Sequence, residues 1–192
     1  MKRIMLIVFD SETTGKPPLN QRGRGFKPPK NFEDWNDCRL VQLAWVVCND
    51  IGGIEKTVDY LIKPKYFIIP EEATKIHGIT QEMAKSKGVK VEKVLEEFLA
   101  DLKGCHTLVA HNIAFDYNLL IAEMARAGIC DPHYESIQLY CTMLAGCESE
   151  HAKWPKLEEL YELYFGQKPV LEQHRALNDV FLGRDIYFYQ TI

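Results

Sequence analysis

Near the start of the chain runs Ile4-Met5-Leu6-Ile7-Val8-Phe9-Asp10-Ser11-Glu12-Thr13-Thr14-Gly15, a β-branched apolar segment that ends in two carboxylates. Its apolar part, Ile4 to Phe9, shows no alternation, the pattern of a strand covered on both faces. It is too short to span a membrane, and the acids that follow it do not fit a signal-peptide cleavage site. In extended backbone, residues two apart point to the same side, so Asp10 and Glu12 share a face. Two carboxylates held together raise each other's pKa unless a cation sits between them. A hard divalent ion with oxygen ligands meets that need, whereas a solvated acidic turn is the plainer alternative.

Outward from this segment, residues 16 to 39 carry Pro17-Pro18, Gly23, Gly25 and Pro28-Pro29, the punctuation of a long surface loop. Leu40 to Cys48 reads as a second strand. Asn49 to Gly53 would turn the chain into a third around Glu55 to Lys63. Val91, Val94, Leu95, Phe98, Leu99 and Leu102 make an apolar helical stripe. Thr107 to Ala110 is a short strand candidate. Further helices are expected from Tyr117 to near Gly128, from Leu157 to Gly166, and from Leu177 nearly to Ile192. A hairpin-led sheet followed by alternating strand and helix implies one α/β domain with a mixed sheet, residues 1–192, with 16–39 as a loop insertion.

The 192-residue chain is 46% apolar and 26% charged, which excludes collagen-like, coiled-coil and largely disordered classes. With no secretion signal, Cys38, Cys48, Cys105, Cys130, Cys141 and Cys147 are read as reduced thiols of a soluble intracellular protein. A zinc site from Cys141, Cys147 and His151 lacks the tight spacing of a zinc knuckle. The formal net charge is −4, yet Lys16, Arg22, Arg24, Lys27 and Lys30 fall in a stretch without acids, so a basic block sits on an acidic body.

At ordinary residue frequencies a chance match to D-x-E-T-T-G in a chain this long is on the order of one in several thousand. The string resembles the first motif of the DEDDh 3′–5′ exonucleases. His111-Asn112-Ile113-Ala114-Phe115-Asp116 is similar to their second motif, and His174-Arg175-Ala176-Leu177-Asn178-Asp179 to their third. Ile69-Pro70 through Ile76-His77-Gly78-Ile79-Thr80 resembles the segment that precedes the second motif in many members. The resemblance implies a ribonuclease H-like three-layer α/β fold, with a mixed central sheet flanked by helices. It also implies hydrolysis of phosphodiester bonds at the 3′ ends of single-stranded or frayed nucleic acid, releasing nucleoside 5′-monophosphates.

By the same resemblance, Asp10, Glu12, Asp116 and Asp179 would hold two divalent ions, Mg2+ or Mn2+, and His174 would act as general base. Thr13, His77, Asn112 and Phe115 would contact the terminal nucleotide. His106, His111, His133 and His151 are expected to be structural. His174 and Asp179 lie five apart, about 140° around a regular helix, so His174 is expected in a turn before the helix that carries Asp179. DNA is expected as substrate because the first and linker motifs look nearest to the proofreading members. An RNA-trimming enzyme and a non-catalytic docking module on the same fold are the alternatives. A DNA polymerase is a candidate partner, which would meet the folded surface because the last helix is expected to run nearly to Ile192. The loop from Lys16 to Arg39 is longer than the resemblance implies, and its cations are expected to contact phosphates upstream of the 3′ end.

Overall fold

A computed structural model describes residues 5–21, 25–147, 153–170 and 174–191. Its sheet has five strands: β1 (Met5–Thr13), β2 (Leu40–Asn49), β3 (Ile54–Leu61), β4 (Thr107–Ala110) and β5 (Gln138–Cys141). Their order is β3-β2-β1-β4-β5, with β2 antiparallel to both β3 and β1, and β1, β4 and β5 mutually parallel. The helices are α1 (Glu71–His77), α2 (Gln81–Lys87), α3 (Val91–Leu102), α4 (Ile113–Ala127), α5 (Pro132–Ser136), α6 (Thr142–Ala145), α7 (Leu157–Phe165) and α8 (Ala176–Thr191).

Sequence explains the layering. Along β1, Ile7 and Phe9 face one way and join Trp45, Phe98, Leu102 and Leu120 under α3 and α4. Leu6 and Val8 face the other way and meet Ala44, Val46, Ala176 and Val180 under α8. The central strands are therefore apolar on both sides, while β3 and β5, at the edges, expose half of their residues. The result is the three-layer ribonuclease H-like α/β arrangement, a mixed sheet between two layers of helices.

Three features differ from the sequence reading. Strand β1 does not stop at Phe9 but runs on to Thr13, so Asp10 and Glu12 are strand residues and not part of a turn; Ile4, its expected start, lies outside the described residues. Strand β5 and the short helices α1, α2, α5 and α6 had no periodicity long enough to read. The stretch 16–39 is more ordered than its punctuation suggests. Leu19 and Phe26 form an antiparallel bridge, Phe32–Trp35 is a 3-10 turn, and Trp35 and Cys38 are fully buried. Apolar anchors, which Pro and Gly counts do not register, fix this segment to the core.

The segment closes on β1 through Thr14 and Gly15. Thr14 Oγ1 donates to Asp37 O at 2.9 Å and accepts from Arg39 N–H at 2.9 Å, while Thr14 N–H donates to Arg39 O at 3.0 Å. A Cβ on Gly15 would come within 2.8 Å of the Asp37 carbonyl oxygen, so only glycine allows the approach. Behind it, buried Glu123 of α4 accepts from Arg39 Nε at 2.8 Å and from Leu40 N–H at 3.2 Å, and pairs with Arg126 at 3.0 Å. Arg126 Nη2 in turn donates to Phe32 O at 2.7 Å.

Candidate active site

Asp10 and Glu12 reach the α8 side of the sheet at the end of β1, where the register slips by one residue between Glu12 and Thr13. Such bulges re-aim side chains at strand ends. Ala176, Val180 and Gly183 pack the face of α8 that meets the sheet, and Asp179 lies on that face one turn from the helix start. Gln42, the cross-strand partner of Glu12, accepts from Ala176 N–H at 3.4 Å and donates to Asp59 at 2.7 Å, tying the start of α8 to β2. One carboxylate oxygen each from Asp10, Glu12 and Asp179 then lies within 4.8 Å of the others, and this is the one such metal-ligating cluster among the described residues.

Asp116 belongs to the first turn of α4, which leaves the end of β4 through Asn112 in the left-handed region, φ 60°. It is buried, and Ser11, on the opposite face of β1 from Asp10 and Glu12, donates its hydroxyl to Asp116 Oδ1. Asp116 stands outside the tight three-carboxylate group yet near enough to act on it electrostatically. Ser11 drew no attention in the sequence; its position between two ligand candidates was the available signal.

Burial is the main cause of the site's electrostatics. It pushes Asp10 well above the usual carboxylate range, helped by Asp116, Asp179 and Glu12. Glu12 rises to about 8, chiefly by burial and then by Asp179 and Asp116, against the lowering pull of Arg175. Asp116 rises to about 7 by burial, opposed by the Ser11 hydrogen bond. Asp179 rises to about 6 by burial, opposed by the His174 N–H, which donates to its Oδ2 at 3.0 Å. The other oxygen of Asp179, Oδ1, is buried with no hydrogen-bond partner among the described residues. A buried acceptor left open among crowded acids fits a divalent cation, which would supply the missing positive charge.

His174 sits two residues before α8 at φ 60°, exposed, in a turn that frees its ring from the helix. A cleft of about 420 Å³ opens beside the carboxylates and is lined by Glu12, Thr13, Ile76, His77 and Phe115 among others. Thr13 Oγ1 donates to Gly15 O at 2.9 Å, and the half-buried Phe115 meets Phe26 edge-on across 6.4 Å. His77 is 2% exposed, its Nδ1 accepts from Ile79 N–H at 3.0 Å, and burial lowers its pKa, so the ring is neutral. Asn112 is half-buried at the mouth of α4 but is not among the residues lining that cleft.

The remaining candidates fall elsewhere. His111 spans Thr142 Oγ1 and Pro155 O, each at 3.0 Å, and His133 Nε2 lies 3.2 Å from Leu102 O; His106 is exposed. His151, and with it the zinc arrangement, lies outside the described residues, as do Arg22 and Arg24. Two of the loop's cations, expected to contact phosphates, carry carboxylate partners at the surface. Lys27 is paired with Asp34 at 2.7 Å and Lys30 with Glu135 at 2.9 Å, acids supplied from outside the basic block. Lys16 lines the cleft.

A protein family described as exonuclease matches residues 7–186. Over 190 residues the chain is 23% identical to the DNA polymerase III subunit epsilon of Buchnera aphidicola, covering 97% of this chain and 74% of that one. It is 35% identical over 115 residues to a PolC-type DNA polymerase III of Mycoplasmopsis pulmonis, covering 59% of this chain but only 6% of that much longer protein. Among solved structures, E. coli exonuclease I bound to single-stranded DNA and zinc superposes with a TM-score of 0.70 at 16% identity, covering 96% of this chain and 40% of that one. Exonuclease X in complex with 5′-overhanging duplex DNA gives 0.62 at 24% identity, covering 97% and 92%. At these identities the two structures speak for the fold alone.

Proposed function

The chain belongs to the exonuclease family, and from that premise we propose that it is a divalent-metal-dependent 3′–5′ exonuclease, acting on single-stranded or frayed ends, DNA before RNA. The observation that carries this reading is the convergence of Asp10, Glu12 and Asp179 oxygens within 4.8 Å, with Asp179 Oδ1 buried and unpartnered. Asp10, Glu12 and Asp179 would hold one divalent ion, and Asp116, steadied by Ser11, would serve a second shared with Asp10. Mg2+ or Mn2+ so bound would offset charge on the scissile phosphate and acidify the attacking water.

The chain's own groups supply the rest. His174 accepts the proton of the attacking water, a role open to an exposed imidazole held in a turn ahead of α8. Thr13, His77 and Phe115 wall the cleft that receives the terminal nucleotide, with Phe115 offering a ring edge or face to base or sugar, and Asn112 is read as a further contact at its margin. Neutral His77 adds a polar wall without charge. Residues 1–192 are read as one exonuclease domain. Relatives that are DNA polymerase III subunits support DNA as substrate and a polymerase as partner.

The test is digestion of matched DNA and RNA oligomers, each with a free or a blocked 3′ end, with and without Mg2+ or Mn2+. Mononucleotide release from free 3′ ends only, requiring the ion and abolished by Asp10→Ala with the fold intact, is the expected result. Faster release from RNA would move the substrate to the alternative class. Tight oligomer binding without hydrolysis under every ion condition would favour a docking module.

A further inference from the structure

The cleft accommodates a terminal nucleotide, and a single strand entering it must continue across the surface; this inference rests on the exonuclease reading. Two concavities of about 520 and 610 Å³ share Lys65, Val91 and Glu92, and so form one groove past the start of α3. The pairing that builds it is local. Ile62 bridges Val89 in parallel, Val89 N–H donates to Leu61 O, and Lys63 N–H donates to Val89 O, both at 2.8 Å. Lys63 and Lys65 are thereby brought beside Lys90 and Lys93, all four exposed.

With Arg39 and Arg126 the groove has six cations against the carboxylates of Glu92, Glu96 and Glu123, in a chain whose net charge is −4. Glu123 is taken up by both arginines and Glu92 by Lys65 at 3.4 Å. Lys63, Lys90 and Lys93 make no ion pair among the described residues. Among the described residues, this groove therefore carries a surplus of positive charge.

Tyr66 adds a second, independent feature. Its backbone is left-handed, φ 63°, which costs a non-glycine residue on the order of 1 kcal/mol, and its side chain is 95% exposed beside the Lys65 ammonium. Among the described residues only the Lys65 ammonium approaches this ring, which lines the groove. An exposed aromatic set among lysines is the arrangement on which unpaired bases stack. The walls of the groove and of the catalytic cleft are bonded to each other. Arg39, in its wall, bonds through both backbone groups to Thr14, which lines the cleft.

We propose that this groove binds the sugar-phosphate backbone of a single strand upstream of its 3′ end, with Tyr66 as the stacking platform for one base. The ligand is recognised by repeated phosphates and an unpaired base, and the enzyme would hold long strands better than short ones.

The test uses the full chain in EDTA, with a 5′-labelled single-stranded DNA of about 20 nucleotides followed by anisotropy across a salt series. Combined Lys63→Ala, Lys90→Ala and Lys93→Ala should weaken binding roughly tenfold or more at low salt. It should also make the salt dependence shallower by about 2, the contribution of three single-strand phosphates. Tyr66→Ala and Tyr66→Gly should each weaken binding severalfold without changing that slope, Tyr66→Gly while raising the melting temperature, and Tyr66→Phe should retain affinity. With Mn2+ added, hydrolysis of the p-nitrophenyl ester of thymidine 5′-monophosphate, which fills only the cleft, should be unchanged in every variant. Unaltered affinity and slope in the triple variant would overturn the proposal. So would polyglutamate binding that the triple variant abolishes while DNA binding persists. Failure of the unsubstituted protein to cleave either ester or oligomer with any divalent ion would instead count against the exonuclease reading, leaving the binding result to stand or fall separately.

Discussion

Ser11 and Glu12 are neighbours on β1 whose side chains leave opposite faces of the sheet toward one charge centre. Ser11 donates to Asp116, holding its carboxylate below where burial alone would put it. Ser11→Ala should therefore cut turnover roughly tenfold, raise the acid limb of the pH–rate profile and leave KM for an oligomer little changed. An unmoved acid limb would remove Ser11 from the site's electrostatics. Glu12 has its folded pKa raised from 4.5 to about 8, so the metal-free native state keeps a proton that the unfolded chain gives up. Its stability contribution is intact below about pH 4.5 and is lost as pH rises through 8. Glu12→Gln should match the unsubstituted protein near pH 4 in EDTA and exceed it by on the order of 1–3 kcal/mol near pH 8.5, read by urea unfolding. Equal stabilities at both pH values would contradict the assigned shift.

At the scale of elements, the catalytic end of β1 is held by the segment that follows it. Gly15 lies against Asp37, Thr14 clasps Arg39, and Arg39 and Arg126 close on Glu123 in α4. Glu123 is 1% exposed and serves two guanidiniums and the Leu40 N–H, so its loss leaves buried cations without their counter-charge. Glu123→Ala should destabilise the protein by about 3–5 kcal/mol in denaturant titration. A change under about 1 kcal/mol would mean that the Arg39–Glu123–Arg126 cluster does not anchor the segment. The helix stripe over residues 91–102, the β2–β3 hairpin and the turn at His174 before α8 were legible because each is a local pattern. The order within 16–39 was not, because it depends on Trp35 and Cys38 finding the core and on Glu123 meeting Arg39 from 84 residues away.

Across the whole molecule, four acids from β1, α4 and α8 are gathered at one end of the sheet and raised together, so cation binding and folding must be linked. A divalent ion has to displace protons from Glu12, Asp116 and Asp179, whose pKa values lie near 8, 7 and 6. Millimolar Mg2+ or Mn2+ should therefore raise the melting temperature by several degrees at pH 8 and by less at pH 6. EDTA should reverse the gain. Equal shifts at the two pH values would place the ion elsewhere.

The sequence by itself determined the apolar strand that leads into Asp10 and Glu12, the helix stripes, the turn that frees His174, and the family likeness that groups the four acids. These are short-range or pattern properties, written in spacing. Only the tertiary structure decided that Ser11 steadies Asp116, that Gln42 fastens the start of α8, and that Lys27 and Lys30 are paired while Lys63, Lys65, Lys90 and Lys93 gather along one groove. Contacts between residues far apart in the chain depend on how layers stack, and no local periodicity encodes that stacking.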